Sequence, residues 1–115
     1  MLNRWPEMDV AEQDSRGYLE CASQPGLTLE VRAGDIIGRE GTVDVSRLED
    51  AEYMSRKHAR FLKKQGKWFI ENLSTKSFTY VNGKQVAPDS DVEIKSGDRI
   101  TLGTARCTFR DEDTE

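Results

Sequence analysis

Apolar and polar residues alternate with a period of two along much of this chain. Leu27, Leu29 and Val31 are interleaved with Thr28, Glu30 and Arg32, the pattern of a strand with one buried face. Ile36-Ile37, Ala59-Arg60-Phe61 and Trp68-Phe69-Ile70 read as further short strands, and Phe78-Thr79-Tyr80-Val81 has the aromatic and β-branched content that pleated surfaces favour. Val92-Glu93-Ile94, Ile100 with Leu102, and Cys107 with Phe109 complete the series. Turn residues punctuate it at Ala33-Gly34-Asp35, Gln65-Gly66, Pro88-Asp89-Ser90-Asp91 and Ser96-Gly97-Asp98, and Asn82-Gly83 is the favoured pair of a two-residue type I′ hairpin. No segment holds a helical period over three turns. The pattern predicts an all-β fold, an antiparallel β-sandwich.

The ends and one interior stretch break the pattern. Residues 1–17 show neither period and predict a flexible arm, with Trp5 as its one large apolar residue; residues 18–110 form the domain; residues 111–115 are an acidic tail. Residues 40–54 form the longest predicted connection, where Val43 and Val45 allow at most a short strand, and long loops in compact domains are often functional. That stretch carries Glu49, Asp50 and Glu52. The sign then reverses: from Ser55 to Lys67 there are six basic residues and no acid. Lys63, Lys64 and Lys67 read as a solvated strand face guarded against edge pairing. Arg56 and Lys57 belong to the turn before it.

With 115 residues, one domain is expected. A formal charge of −4 argues against nucleic acid as the main partner, because phosphate-backbone binding needs a basic surplus. No apolar run approaches the ~20 residues of a membrane span. The acidic N-terminus lacks signal-peptide character, so a cytoplasmic, monomeric protein without a membrane partner is expected. Cys21, Cys107 and a single histidine leave no ligand set for zinc. Structural thiols are expected, a Cys21–Cys107 disulfide being the less favoured alternative in the cytoplasm.

Candidate chemistry gathers at Gly38-Arg39 and, sixteen positions after that arginine, Ser55-Arg56-Lys57-His58. Arginine presents a planar fork of donors that matches a phosphate or carboxylate at two points, and a serine hydroxyl adds another donor. A catalytic role for His58 would need a nucleophile and an orienting acid, and Ser55-x-x-His58 in a turn supplies no elbow or oxyanion hole.

The order Gly38-Arg39, Ser55-Arg56-x-His58, Val81-Asn82-Gly83 and Gly97 to Gly103 resembles the forkhead-associated (FHA) domain family over roughly Leu27 to Phe109. The resemblance implies an FHA-type sandwich with binding loops at one end, and a non-enzymatic module that binds phosphothreonine peptides without a cofactor or metal. By that resemblance Arg39, Ser55 and Arg56 would hold the phosphate, and Lys57, Lys76 and Ser77 would contact the peptide. Gly38, His58, Thr79 and Asn82 would support the site. The chain departs from the family where Ser77-Phe78 replace the usual Asn-Gly before Thr79. A serine reaches less far than an asparagine amide that both donates and accepts, so a weakened peptide clamp is expected. Two functions follow: an adaptor that reads phosphothreonine in kinase-dependent signalling, or a phosphate-independent interaction domain with a degenerate site.

Overall fold

The computed structural model describes residues 14–112, which fold as two antiparallel sheets packed face to face. The strands are β1 (Arg16–Cys21), β2 (Thr28–Arg32), β3 (Ile36–Ile37), β4 (Ala59–Lys64), β5 (Lys67–Asn72), β6 (Thr79–Val81), β7 (Lys84–Gln85), β8 (Asp91–Ile94), β9 (Arg99–Leu102) and β10 (Ala105–Asp111). One sheet runs β2-β1-β10-β9-β6-β7 and the other β3-β4-β5-β8. The expected β-sandwich is present.

Its core is made by the alternation that the sequence displays. Leu29 and Val31 of β2, Leu19 of β1 and Phe109 of β10 point inward from the first sheet, and Ile37, Phe61, Trp68 and Ile70 meet them from the second. Phe109 sits against both aromatics of the facing sheet, edge-on to Trp68 at 5.4 Å between centroids and near-parallel to Phe61 at 6.3 Å. Such aromatic pairs add directional packing to the area that they bury.

Several local expectations change. Strand β1 takes in Arg16 and Gly17, which the sequence pattern assigned to the arm, because Gly17 pairs with both Val31 and Asp111. Asp111, assigned to the tail, ends β10. The remainder of the predicted arm up to residue 13, Trp5 included, and tail residues 113–115 lie outside the described residues. Val43 and Val45 form no strand, and a 3-10 turn at Glu49–Tyr53 that no periodicity announced closes the long loop. Lys63 is not on a solvated face; it is buried, with its ammonium 5.5 Å above the Trp68 ring. Cys21 and Cys107 are direct partners across β1 and β10, and both are free, buried thiols. Their sulfurs are 3.7 Å apart, and the contact with Cys21, followed by burial, pushes the Cys107 thiol far above its usual range. Among the described residues no helix is long and apolar enough to cross a membrane.

The strand directions bring the ends of β3, β5 and β9 and the starts of β4, β6 and β10 to one end of the sandwich. From there β10 runs seven residues to Asp111, about 20 Å at strand rise. The described chain ends therefore lie away from these loops.

Candidate functional site

The two short motifs are joined through their backbones. Arg39 N–H donates to Ser55 O at 3.1 Å, Glu40 N–H to Arg56 O at 2.9 Å, and His58 N–H to Ile37 O at 2.9 Å, so residues 37–40 run beside 55–58. Gly38 makes the approach possible. A Cβ built there would lie 2.3 Å from Arg56 O and 2.7 Å from Ser55 O, well inside contact distance of backbone that has nowhere to move.

His58 ties this pair of segments to the loop between β5 and β6. The imidazole is fully buried. Its Nδ1 accepts the Ser55 N–H at 3.2 Å, which leaves the proton on Nε2 to be donated to Phe78 O at 3.0 Å. Burial lowers the His58 pKa, with a smaller opposing pull from the Phe78 carbonyl. The neutral ring is therefore the form that fits, because a second proton would face the Ser55 N–H. Both ring nitrogens are engaged by main chain, and the Ser55 hydroxyl bonds to other serines, so Ser55 and His58 do not form a nucleophile–base pair.

Asn72, at the end of β5, organises the same loop. Its Oδ1 accepts from Ser74 N–H at 3.0 Å and from the Thr79 hydroxyl at 3.1 Å, while its Nδ2 donates to Val86 O at 2.8 Å. Thr79 is fully buried and Asn72 nearly so, so each bond satisfies a group shielded from water. Ser74 passes the order outward. Its hydroxyl oxygen accepts from Ser77 N–H and Lys76 N–H, at 2.9 and 3.2 Å, and lies 2.6 Å from the Ser55 hydroxyl. Ser55 donates in turn to Ser77 Oγ at 3.2 Å. Since each hydroxyl has one proton, Ser74 donates to Ser55, Ser55 to Ser77, and the Ser77 proton is left at the end of the chain.

Around this serine cluster lies an open depression of about 390 Å³ lined by Arg39, Ser55, Arg56, Lys57, Leu73, Ser74, Thr75 and Lys76, with no acidic residue among them. Arg39 is aimed by one bond: its Nε donates to Met54 O at 2.8 Å, which fixes the guanidinium plane and keeps both terminal nitrogens available for a two-point contact. Arg56 leans on Glu40, Nε to Oε2 at 3.7 Å, but both side chains are about two-thirds exposed or more, and an exposed pair of this kind holds an arginine only weakly.

Of the residues marked in the sequence, Gly38, Arg39, Ser55, Arg56, Lys57, His58, Lys76, Ser77 and Thr79 meet at this end. Asn82 does not. It sits at the far end of β6, where its amide bonds Asp98 and the Arg99 N–H and fixes the β6–β7 turn, so it reaches the site only through its strand. Sequence reasoning missed Ser74 and gave Asn72 no role; a polar residue ending an apolar strand ahead of a Ser-Thr run was the available signal. Phe78 lies 55% exposed, tilted against Tyr80 at 6.0 Å. It is not among the described non-glycine residues with positive φ, which are Gln65, Asn82 and Asp89, so the loop accommodates this side chain without left-handed strain.

Cations and hydroxyls thus gather around a backbone-anchored arginine on loops at one end of a two-sheet sandwich. A family model of the FHA domain matches residues 36–103, and the chain belongs to that family. It is 34% identical over 61 residues to Protein FraH of Nostoc sp., a match that spans 53% of this chain and 21% of FraH. The FhaA FHA domain, solved in complex with the intracellular domain of Rv3910, is 27% identical; the match covers 82% of this chain and 99% of that one with a TM-score of 0.66. The N-terminal FHA domain of Rad53p from S. cerevisiae, solved with a phosphothreonine peptide, shares the fold at a TM-score of 0.69 and 20% identity, over 85% of this chain and 94% of that one.

Proposed function

We propose that this domain binds phosphothreonine peptides, with the acid-free depression around Arg39 and Ser55 as its phosphate site. The observation that carries the reading is the Arg39 guanidinium, anchored at Nε by Met54 O beside the Ser55 hydroxyl. A phosphothreonine brings ~−1.5 to −2 charges and three strong acceptor oxygens, and an arginine cluster is a recurrent answer to it. The two terminal nitrogens of Arg39 take two phosphate oxygens, the Ser55 hydroxyl turns its proton from Ser77 Oγ to the third, and Arg56 joins them by leaving Glu40. Lys57, Lys76 and Ser77 face the peptide. Gly38, His58 and Thr79 hold the loops, and Asn82 supports them indirectly through β6. The phosphothreonine peptide bound by the Rad53p domain supports this assignment. The biological role is that of a monomeric cytoplasmic adaptor without catalytic activity, joining a phosphorylated partner to a signalling pathway.

Calorimetry with a phosphothreonine peptide and its unphosphorylated twin tests the reading. Charge-assisted hydrogen bonds contribute ~1.5–3 kcal/mol each, so Arg39→Ala should weaken phosphopeptide binding at least roughly tenfold while the thermal midpoint barely moves. Equal affinity of the wild type for both peptides would overturn it. That result would favour the second reading, a phosphate-independent contact, for which the exposed rings of Tyr53 and Phe78 offer apolar surface.

A further inference from the structure

The outward face of the six-stranded sheet holds a second concavity, of about 620 Å³, that shares no residue with the Arg39 depression. Arg99 and Thr101 of β9 and Arg106 and Thr108 of β10 line its floor, and the turn at Asn82-Gly83 forms part of its rim. The strand register pairs Arg106 with Thr101 and Arg99 with Thr108. Arginine and threonine therefore alternate as on a checkerboard, and the two arginines are diagonal neighbours. Diagonal partners across an antiparallel pair are about 7–8 Å apart, close enough for two long side chains to converge on one anion.

The other charges nearby are already engaged. Glu20, opposite Thr108 on β1, accepts from Arg110 Nε at 2.8 Å. Glu30 on β2 accepts from Arg32 Nε at 3.2 Å. Asp98 accepts from the Asn82 amide and the Lys95 N–H, and Asp50 holds the hydroxyls of Ser23 and Thr104. Neither Arg99 nor Arg106 has an acidic partner among the described residues, and no acid lines the concavity. Two like charges this close oppose each other in the free domain, and an anion between them removes that repulsion. The threonine hydroxyls at the floor can donate to the same anion.

We propose that this concavity is a second anion site that takes an acidic polypeptide segment through its carboxylates. Two forked guanidiniums suit carboxylates presented singly. A nucleic acid or an anionic membrane presents closely spaced charge over a long track, which two arginines on a protein of net charge −4 do not match. The domain would then hold an acidic stretch on its sheet face independently of whatever its loops bind.

Amide shift mapping of the whole chain, titrated with hexaglutamate at low salt, tests this. Shifts should centre on Thr101, Arg106 and Thr108, whether or not the loops around Arg39 also respond. The double change Arg99→Glu with Arg106→Glu should weaken that binding at least about tenfold, the loss of two charge-assisted contacts. It should leave phosphopeptide binding unchanged; Arg99→Gln with Arg106→Gln serves if the reversal fails to fold. Failure at Arg39 and failure here are thus read at different amides. Absence of shifts on β9 and β10, or shifts indifferent to both double changes, would overturn the proposal. So would tighter, arginine-dependent capture of a single-stranded oligonucleotide or phosphatidylserine vesicles.

Discussion

The two ends of the sandwich solve the same problem, turning the chain back, by opposite means. At the far end, Gln65-Gly66, Asn82-Gly83 and Gly97 reverse direction in very few residues, with φ of 53, 77, 52, 82 and 97°. These turns are short, and the last two are tied to each other by the Asn82 and Asp98 side chains at the surface. At the site end the β3–β4 and β5–β6 connections are long and irregular, and pairing between their main chains leaves other groups to be satisfied. Buried polar side chains supply the rest: of the six buried polar or charged residues among the described ones, His58, Asn72, Ser74 and Thr79 all lie here. The same bonds that make an irregular loop tolerable also fix Ser55, Ser77 and Lys76 in place. Rigidity of the site is thus a by-product of satisfying its backbone.

A pair of glycine replacements tests this contrast with the largest expected effect. Gly38→Ala sets a methyl group into the Ser55–Arg56 backbone. It should cost about 3 kcal/mol and eliminate phosphopeptide binding, because overpacking against fixed backbone forces the two segments apart. Gly83→Ala has nothing within 4 Å of its new Cβ and only its φ of 82° against it. It should cost about 1 kcal/mol and leave binding alone. Urea unfolding of the two variants, followed by calorimetry, makes the measurement; equal losses would erase the distinction between the ends.

Protonation of His58 should reach only the site end. Its folded pKa is lowered, so the unfolded chain takes up the proton first as pH falls below the ordinary 6.5. Its contribution is fully present above that value and is lost progressively below it. Binding should weaken only at lower pH, where the folded ring itself takes up the proton, since a protonated ring cannot accept the Ser55 N–H. A His58→Gln variant, already weaker, should show a flatter pH dependence of its urea midpoint between pH values just above and just below 6.5. A wild type insensitive to that change would mean that the ring is not the tie between the loops.

The contrast also explains what could be read from the sequence. The far end was legible because its turns are local: Asn82-Gly83 and Gln65-Gly66 declare their geometry in two letters. The alternating strands were legible for the same reason. At the site end, the resemblance identified Arg39, Ser55 and His58 as a group, but the way they meet depends on pairings between residues sixteen or more positions apart. Ser74 was invisible because a serine in a polar loop carries no sign of its partner; only the approach of Ser55, nineteen residues earlier in the chain, makes it a member of the site. The start of β1 was missed because Arg16 and Gly17 look like linker, and their strand character comes from β2 and β10 on either side. Lys63 misled because a lysine reads as solvated, whereas here its ammonium lies over the ring of Trp68, its cross-strand partner.

The smallest expected effect concerns the two residues that depart from the family, Ser77 and Phe78. The Ser77 hydroxyl accepts from Ser55 at 3.2 Å, and its single proton is all that it has left to offer a peptide backbone. An asparagine there has the length to remain near the cluster and still present its amide to the peptide at two points. Phe78 has settled in a conformation open to any residue, with its ring lying on Tyr80, so the loop has lost the need for glycine along with the clamp. Restoring both, Ser77→Asn with Phe78→Gly, should tighten phosphopeptide binding by roughly fivefold, the value of one ~1 kcal/mol hydrogen bond. It should also lower stability slightly, because a glycine orders at greater entropic cost and the ring contact is gone. Ser77→Asn alone should recover less, as Phe78 keeps the loop on its present path. Calorimetry against one phosphopeptide distinguishes the outcomes. Unchanged or weaker binding in the double variant would mean that Lys76, Ser77 and Phe78 are shaped to a ligand of their own, with the exposed Phe78 ring part of the contact.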